Sequence, residues 1–471
     1  MNLEEFIKIC NEHKFWQWIK NKSLLDYEFV PDRKGFLKSI FEKIVARTYY
    51  PSPPIKYLTA NKGMSVIRII PVLTLEDLCV YYYCVRRLEK FIAGNHVPGT
   101  YGGFGLSGLL RRAEEDNIGK VKKDKTSSLN ENDVVFDVHP YSELSSLNPK
   151  AWFTEWSDFT EKLYFNTVDQ NYKYVAELDI SNFYDSIQLD HLEYKLRGSL
   201  PQNNNEIIYL LLHYLKFWNR HINFYRQQGA GIPQDLFGEC SRVLANFYLQ
   251  KYDSRITNVC SEHNALFFRY ADDQIILAES KKDIETIIAK ASSLLMREGL
   301  NFNQKKVRIM EVDEFNHYYS FNSYFNLTAH DGQPPNKIAV EQEIETYLEH
   351  HSSLRKNGLS LLKAILNCIF KHKIQPSNFN VLKKHLLEKE FILNMLCTAS
   401  DIDKVYRLLD DYERARFRDI LIQSVETCLF TARLYNLKKI FSKYSYSTAF
   451  IEERIEFLDR FYSFDAPVIE N

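Results

Sequence analysis

The spacing of apolar positions changes several times along this chain, and each change marks a different kind of structure. Residues 1 to about 50 carry a helical, aromatic-rich pattern that ends at "YYPSPP", where three prolines and a serine interrupt any regular element. From Ile55, "IKYLTANKGMSVIRIIPV" alternates as two strands would around a turn at Asn61 to Gly63, and from Thr74 onward the period becomes that of a helix. A Gly-rich stretch, "GTYGGFGLSG", and a polar segment from Glu114 to Lys150 follow, the latter reading as a long surface loop.

Between about 172 and 310 strands and helices alternate. "KYVAELDI" is a strand, "QLDHLEYKL" and "RVLANFYLQKYDSRI" are helices, and "KKDIETIIAKASSLLMREG" is a helix stopped by Gly299. After about 335 only helical spacing remains. Examples are Val340, Ile344, Tyr347 and Leu348, then Leu361, Leu362, Ile365, Leu366 and Ile369, then Ile402, Val405, Tyr406 and Leu409, the last group introduced by Ser400 and Asp401 as capping residues. The pattern divides the chain into an N-terminal helical segment (1–50), an α+β core (51–335) and an all-helical C-terminal domain (336–471), with no strict repeat period in that last part.

One short stretch carries chemistry. In "FFRYADDQIIL", Phe267 to Leu277, two apolar runs flank Asp272 and Asp273, so the segment reads as a hairpin with both carboxylates at its turn. Two carboxylates about 4 Å apart repel by roughly 4 kcal/mol at an effective dielectric near 20. A cation would turn that cost into a gain, whereas the plainer alternative is a solvated Asp-rich turn. Upstream, "YVAELDISNFYDSI" delivers Asp179 to the end of a mostly apolar strand, and the Gly- and Pro-containing "GAGIPQ" leads into a helix between the two. Three carboxylates on two neighbouring strands are the arrangement that holds two Mg²⁺ ions about 3.5–4 Å apart for in-line phosphoryl transfer.

Composition narrows the picture. With 60 Lys plus Arg against 61 Asp plus Glu, the formal charge is −1, so any positive surface for nucleic acid must be local. Candidate patches are Arg111, Arg112, Lys120, Lys122, Lys123 and Lys125, then Lys305, Lys306 and Arg308, and then Lys383, Lys384, Lys438 and Lys439. Hydrophobic content of 45% and charged content of 26% are those of a folded chain, with aromatics at 14%. No run approaches the roughly 18 apolar residues of a membrane span, and the start "MNLEEFIKICNEHKFW" is unlike a signal peptide, so a cytoplasmic protein with no membrane partner is expected. The eight cysteines form no CxxC pair and read as core thiols.

The ordered motifs resemble those of the reverse transcriptases. "FRYADD" is similar to the catalytic box of that family, "ELDISNFYDSI" to its first aspartate motif, and "GIPQ" with "LANFYL" to the motif between them. "GLNFNQKKV" is similar to a Gly-Leu and Asn-x-x-Lys segment, and "VIRIIPVLTLEDLCVYYYCVRRLE" to the fingers region, so that the likeness spans about residues 55–310. "DISNFYDSI" together with Ser241 and Arg242 is most similar to bacterial antiphage defence enzymes of the abortive-infection and unclassified groups; Asp235 departs from the pattern, standing where many relatives have Gly.

The resemblance implies a right-hand polymerase with a fingers and palm core, and an enzyme that adds dNTPs on an RNA template or without one. It implies catalysis by Asp179, Asp272 and Asp273, and a metal set of Asp179, Ile180, Asp272 and Asp273 for Mg²⁺, with Mn²⁺ able to replace it. It also implies substrate contacts at Arg68 in the fingers, Tyr184 as a steric gate under the sugar, Gln234 near template and nucleotide, and Lys306 near the triphosphate. The expected partners are dNTPs, a nucleic-acid template or associated non-coding RNA, and a second copy of the chain in a homo-oligomer. Two other readings stay open on the residues alone: a palm-type nucleotide cyclase, whose Gly-Gly-Asp-Glu-Phe type signature is absent, and a non-catalytic palm scaffold whose helical domain binds partners.

Overall fold

A computed structural model describes residues 1–25, 27, 30–62, 65–93, 96–106, 152–168, 171–218, 229–235, 238–327, 335–350, 358–388 and 398–462. The polar segment from Glu114 to Lys150, the basic patch from Arg111 to Lys125, and Cys397 lie outside these residues. The chain clusters into two compact units, one built from Met1–Tyr57 and Ile70–Met310, the other from Leu58–Ile69 and Glu311–Phe464.

In the first unit, α1 (Leu3–Cys10), α2 (His13–Lys22) and α3 (Arg33–Val45) form the helical N-terminal part. The paired strands β1 (Lys56–Asn61) and β2 (Ile67–Val72) make a two-stranded sheet whose tip belongs to the second unit. Helix α4 (Leu75–Ile92) starts where the Thr74 hydroxyl accepts the Asp77 N–H at 3.1 Å. Asp77 in turn accepts from the Tyr49 hydroxyl at 2.6 Å and the Ser52 N–H at 3.0 Å. The proline-rich break is thereby tied to the next helix, whose residues from Leu78 to Val85 are all buried.

The centre of this unit is a five-stranded sheet of order β3-β5-β6-β4-β7, made of Thr100–Tyr101, Leu266–Tyr270, Asp273–Ala278, Tyr174–Asp179 and Arg308–Glu311 respectively. Helices α5 (Trp152–Val168), the short α6 (Phe183–Ser186), α7 (Leu189–Ser199), α8 (Asn205–Phe217), α9 (Glu239–Glu262) and α10 (Lys281–Arg297) complete it. Ser280 caps α10 by accepting the Asp283 N–H at 3.1 Å. Gly299 follows that helix with φ +74°, a backbone setting that glycine adopts without a Cβ penalty. Strand β4 is buried from Val175 onward, with Glu177 and Asp179 included, so its residues do not alternate between buried and exposed.

The second unit has its own apolar core, formed by Val340, Ile344, Leu362, Ile365, Ile402, Phe417, Leu434 and Ile451 among others. Beyond residue 335 its described elements are all helical: α11 (Lys337–His350), α12 (Gly358–Lys371), α13 (Phe379–Leu386), α14 (Ala399–Leu408), α15 (Asp411–Thr427), α16 (Thr431–Lys443) and α17 (Ala449–Tyr462). The cap of α14 is not Ser400 or Asp401. Thr398 accepts the Asp401 N–H at 3.2 Å, so the helix begins at Ala399 and both expected capping residues lie inside it. A β-branched hydroxyl two residues earlier serves the same N–H groups. Thr59 and Thr431 exchange bonds, each backbone N–H donating to the other's hydroxyl at 2.8 and 2.9 Å.

The seven described cysteines are buried and unbridged. No helix among the described residues is long and apolar enough to cross a membrane.

Candidate active site

Strand register brings the carboxylates together. Asp179, the last residue of β4, lies directly opposite Asp273, the first residue of β6, and Asp273 also pairs with Tyr270 of β5. Directly opposed residues of a ladder share a face with Cβ atoms about 4.5–5.5 Å apart. The turn of the β5–β6 hairpin is therefore Ala271–Asp272, and Asp273 opens the strand instead of sitting in the turn. Ala271 has φ +54°, a positive value at the first central turn position of the kind a twisted two-residue hairpin requires. The Asp272 carbonyl accepts the Ile180 N–H at 3.3 Å, which fixes the turn against the end of β4.

The electrostatics follow from this crowding. Burial first, then the charges of Asp273 and Asp179, push the Asp272 carboxyl up to about 6, against a partial offset from the Lys306 ammonium. Lys306 reaches the site because the Asn303 N–H donates to the Asp179 carbonyl at 2.8 Å, seating the single turn Gln304–Lys306 beside β4. Its Nζ donates to Asp179 Oδ1 at 2.8 Å while the side chain stays 58% exposed.

Tyr184 is half-buried just past Asp179. Burial raises its phenol to about 12, with Asp272 and Glu239 adding to the rise and Arg242 opposing it, so the ring lies within electrostatic reach of the carboxylates. Arg242 also pairs with Glu239 at 2.8 Å. Gln234 is partly exposed beside Pro233, whose carbonyl accepts the Ser241 hydroxyl. The adjacent Ile232 N–H donates to the Tyr184 carbonyl at 3.0 Å, so the "GIPQ" turn is anchored to the motif that carries Tyr184. Arg68 is exposed on β2 within the second unit and is not among the residues the sheet assembles.

Oxygen donors from three aspartates suit a hard divalent cation such as Mg²⁺. Ile180 can contribute only its carbonyl, and the bridge to Phe302 runs through the Asp179 carbonyl and the Ser181 N–H, leaving the Ile180 carbonyl outside that ladder. Among the described residues no three His, Cys, Asp or Glu side chains are gathered closely enough to hold an ion as they stand, and Lys306 takes one Asp179 oxygen. The donor chemistry and the mutual repulsion fit a divalent cation. A cation at Asp179 would have to compete with the Lys306 ammonium.

A buried network that the sequence reading missed holds the hairpin. Arg269 and Asp253 are both fully buried and form a bidentate pair at 2.7 and 2.6 Å. The remaining guanidinium nitrogen of Arg269 donates to the Ala271 carbonyl at 2.7 Å and to Asn246 Oδ1 at 2.9 Å. Asn246 donates to the carbonyls of Gly102 and Gly103 at 3.0 and 3.2 Å, while the N–H groups of those glycines donate to Glu155 at 2.6 and 2.5 Å. A Cβ on Gly102, at φ +115°, would stand 2.8 Å from the Ala271 nitrogen, so glycine at this position lets β3 approach the Ala271–Asp272 turn. The signal available in sequence was the spacing of Asn246 and Asp253, two polar residues two turns apart on one helix.

The other basic patches divide. Lys305 and Arg308 are exposed, but Lys383 pairs with Glu413 at 2.9 Å and Lys438 with Glu452 at 3.0 Å, so those lysines are part of an ion-paired surface.

Comparison with known proteins adds a family match over part of the chain. Residues 140–338 match the model described as reverse transcriptase (RNA-dependent DNA polymerase), a span that includes Asp179, Tyr184, Gln234, Asp272, Asp273 and Lys306 but not Arg68. No curated protein matches the chain by sequence. Similar solved structures include apo telomerase from Candida Tropicalis, at 14% identity over 96% of this chain and 74% of that one, with a TM-score of 0.33. Another is telomerase from the same organism in complex with a TWJ fragment of telomeric RNA, at 13% identity over 90% and 68% of the two chains, with a TM-score of 0.31. Reverse transcriptase domains use divalent metal ions. The chain thus carries, over residues 140–338, a reverse transcriptase domain, the mark of an RNA-directed DNA polymerase and so of a nucleotidyltransferase.

Proposed function

We propose that the chain is a right-hand polymerase that extends a primer hydroxyl with dNTPs at Asp179, Asp272 and Asp273. The observation that carries this reading is the opposition of Asp179 and Asp273 across the β4–β6 ladder with Asp272 in the adjoining turn. Asp179, Asp272, Asp273 and the Ile180 carbonyl would hold Mg²⁺, which supplies a lowered pKa for the attacking hydroxyl and charge neutralisation at the phosphates. Lys306, which contacts Asp179, would move to an anionic leaving group, pyrophosphate, and offset its charge. Arg68 and Gln234 would contact nucleotide and template.

The similarity of "DISNFYDSI", Ser241 and Arg242 to abortive-infection enzymes supports a role in antiphage defence. The separate core of the helical unit supports its use in self-association or partner binding. Incubation with labelled dNTPs and Mg²⁺ tests the function. A polymerase gives acid-insoluble DNA, a nucleotide cyclase gives a cyclic mononucleotide, and a scaffold gives neither.

Tyr184 offers a sharper test of the pocket. An aromatic ring five residues past Asp179 and within reach of Asp272 would lie under the incoming sugar, where a 2′-hydroxyl has no room. Fit over so small a group is worth about 1–3 kcal/mol, or roughly tenfold to 200-fold in kcat/KM. Tyr184→Ala is expected to admit rNTPs by that factor while keeping dNTP use, and Tyr184→Phe to retain the gate because the ring does the excluding. Parallel kcat/KM values for dATP and ATP decide it, and unchanged selectivity in Tyr184→Ala would make the residue a core aromatic.

A further inference from the structure

We propose that the groove between α7 and α9 is a second nucleic-acid site, which grips the phosphates of a single strand with Arg197, Lys251 and Arg255 and stacks a base on Tyr194. The groove encloses about 770 Å³, and its lining includes Tyr194, Lys195, Arg197, Gln250, Lys251 and Ser254 but no carboxylate. It shares no residue with the aspartate site.

Sequence spacing builds this face. Phe247, Gln250, Lys251 and Ser254 recur at helical intervals along α9, with Arg255 next to the same stripe, and Tyr194 to Ser199 supply the facing side from α7. Tyr194 is 74% exposed, an unusual setting for a large aromatic that packs against nothing in the core. Lys251 is exposed, and neither it nor Arg255 has an ion-pair partner among the described residues.

The cations also crowd one another. Burial, then Lys251 and Arg255, lower Lys195 despite its 2.6 Å pair with Glu298, and burial followed by Lys195 and Lys251 lowers His191. One buried carboxylate, Glu298, faces both Lys195 and His191, so Lys251 and Arg255 are left for an anion from outside. Arg197 is braced by Glu193 at 2.8 Å and Asn205 at 3.0 Å, which fixes its fork at the groove wall. A row of cations beside an exposed aromatic is how proteins hold single strands: the charges track the backbone and the ring accepts any base.

The test uses the full chain and a fluorescent 20-nucleotide single strand carrying 4-thiothymidine. The expected result is a crosslink within residues 189–199 or 239–262. Lys251→Glu with Arg255→Glu should lower affinity at least tenfold and flatten the dependence of log K on log salt by about 1.4, two phosphate contacts at roughly 0.7 each for a single strand. Tyr194→Ala should lower affinity at least fivefold with a nearly unchanged salt slope. These are surface positions, and matching thermal melts confirm folding. Crosslinks confined to other segments, or unchanged affinity in the double variant, overturn the proposal. Displacement of the strand by polyglutamate or inorganic phosphate at matched charge also overturns it, because the groove would then read charge alone. Asp179→Asn, which removes incorporation on the polymerase reading, should leave the crosslink intact, so failure of one reading is distinguishable from failure of the other.

Discussion

Asp272→Asn and Asp273→Asn are each expected to abolish nucleotide incorporation, by about 10²–10³-fold or more, while the metal-free protein stays at least as stable as the wild type. The loss follows from removing a negative donor where charge must be neutralised during phosphoryl transfer. The stability result follows from the sign of the shift at Asp272, whose carboxyl is raised from 3.8 to about 6. A raised carboxyl contributes stability that is fully present below about pH 4 and lost as pH rises through 6. At pH 8 the wild type bears a cost of at most about 3 kcal/mol for keeping that charge, less whatever the partial exposure of the side chain screens. Asparagine removes it. Melting curves in EDTA should show Asp272→Asn equal to or above the wild type at pH 8, the gap closing toward pH 4. A lower melting temperature at pH 8 would mean that the carboxylate is structural.

The second large effect is expected at Arg269, which lies behind the aspartates and holds the Ala271 carbonyl and hence the Ala271–Asp272 turn. Arg269→Met leaves Asp253 charged, fully buried and unpaired, a change that costs about 3–5 kcal/mol. Much of that cost comes from the abandoned carboxylate, so the double variant Arg269→Met with Asp253→Leu should recover most of the stability. Incorporation should not recover, remaining at least tenfold down in kcat, because neither side chain now anchors the turn or Asn246. That split identifies a positioning residue: stability returns and activity does not. A double variant with wild-type kcat would show the network to be a core feature only.

Legibility in the sequence tracked how local each signal was. Strand β4 and the β5–β6 hairpin were readable because their apolar runs and polar breaks lie within a dozen residues, and the order of Asp179, "GIPQ" and the double aspartate pointed to the candidate site. Lys306 was readable only through its motif; its 2.8 Å approach to Asp179 depends on the Asn303 N–H reaching a carbonyl more than 120 residues earlier. Strand β3 was not legible, because two residues held in parallel register by β5 have no periodicity to detect. Neither was the Arg269 network, which joins β5 to two positions of α9, Asn246 and Asp253, and to Gly102 beside β3. A buried ion pair announces itself only once both partners are in place. The cap at Thr398 shows the same limit at small scale, since several polar residues in "TASD" could have served and the backbone chose among them.

The most direct test of the central claim is extension of a labelled DNA primer on an RNA template of defined sequence, with Mg²⁺ and all four dNTPs, by the wild type and by Asp179→Asn. The wild type should give product complementary to the RNA and Asp179→Asn none. Extension undiminished in Asp179→Asn, or no RNA-dependent extension by a folded wild-type protein, would contradict the claim.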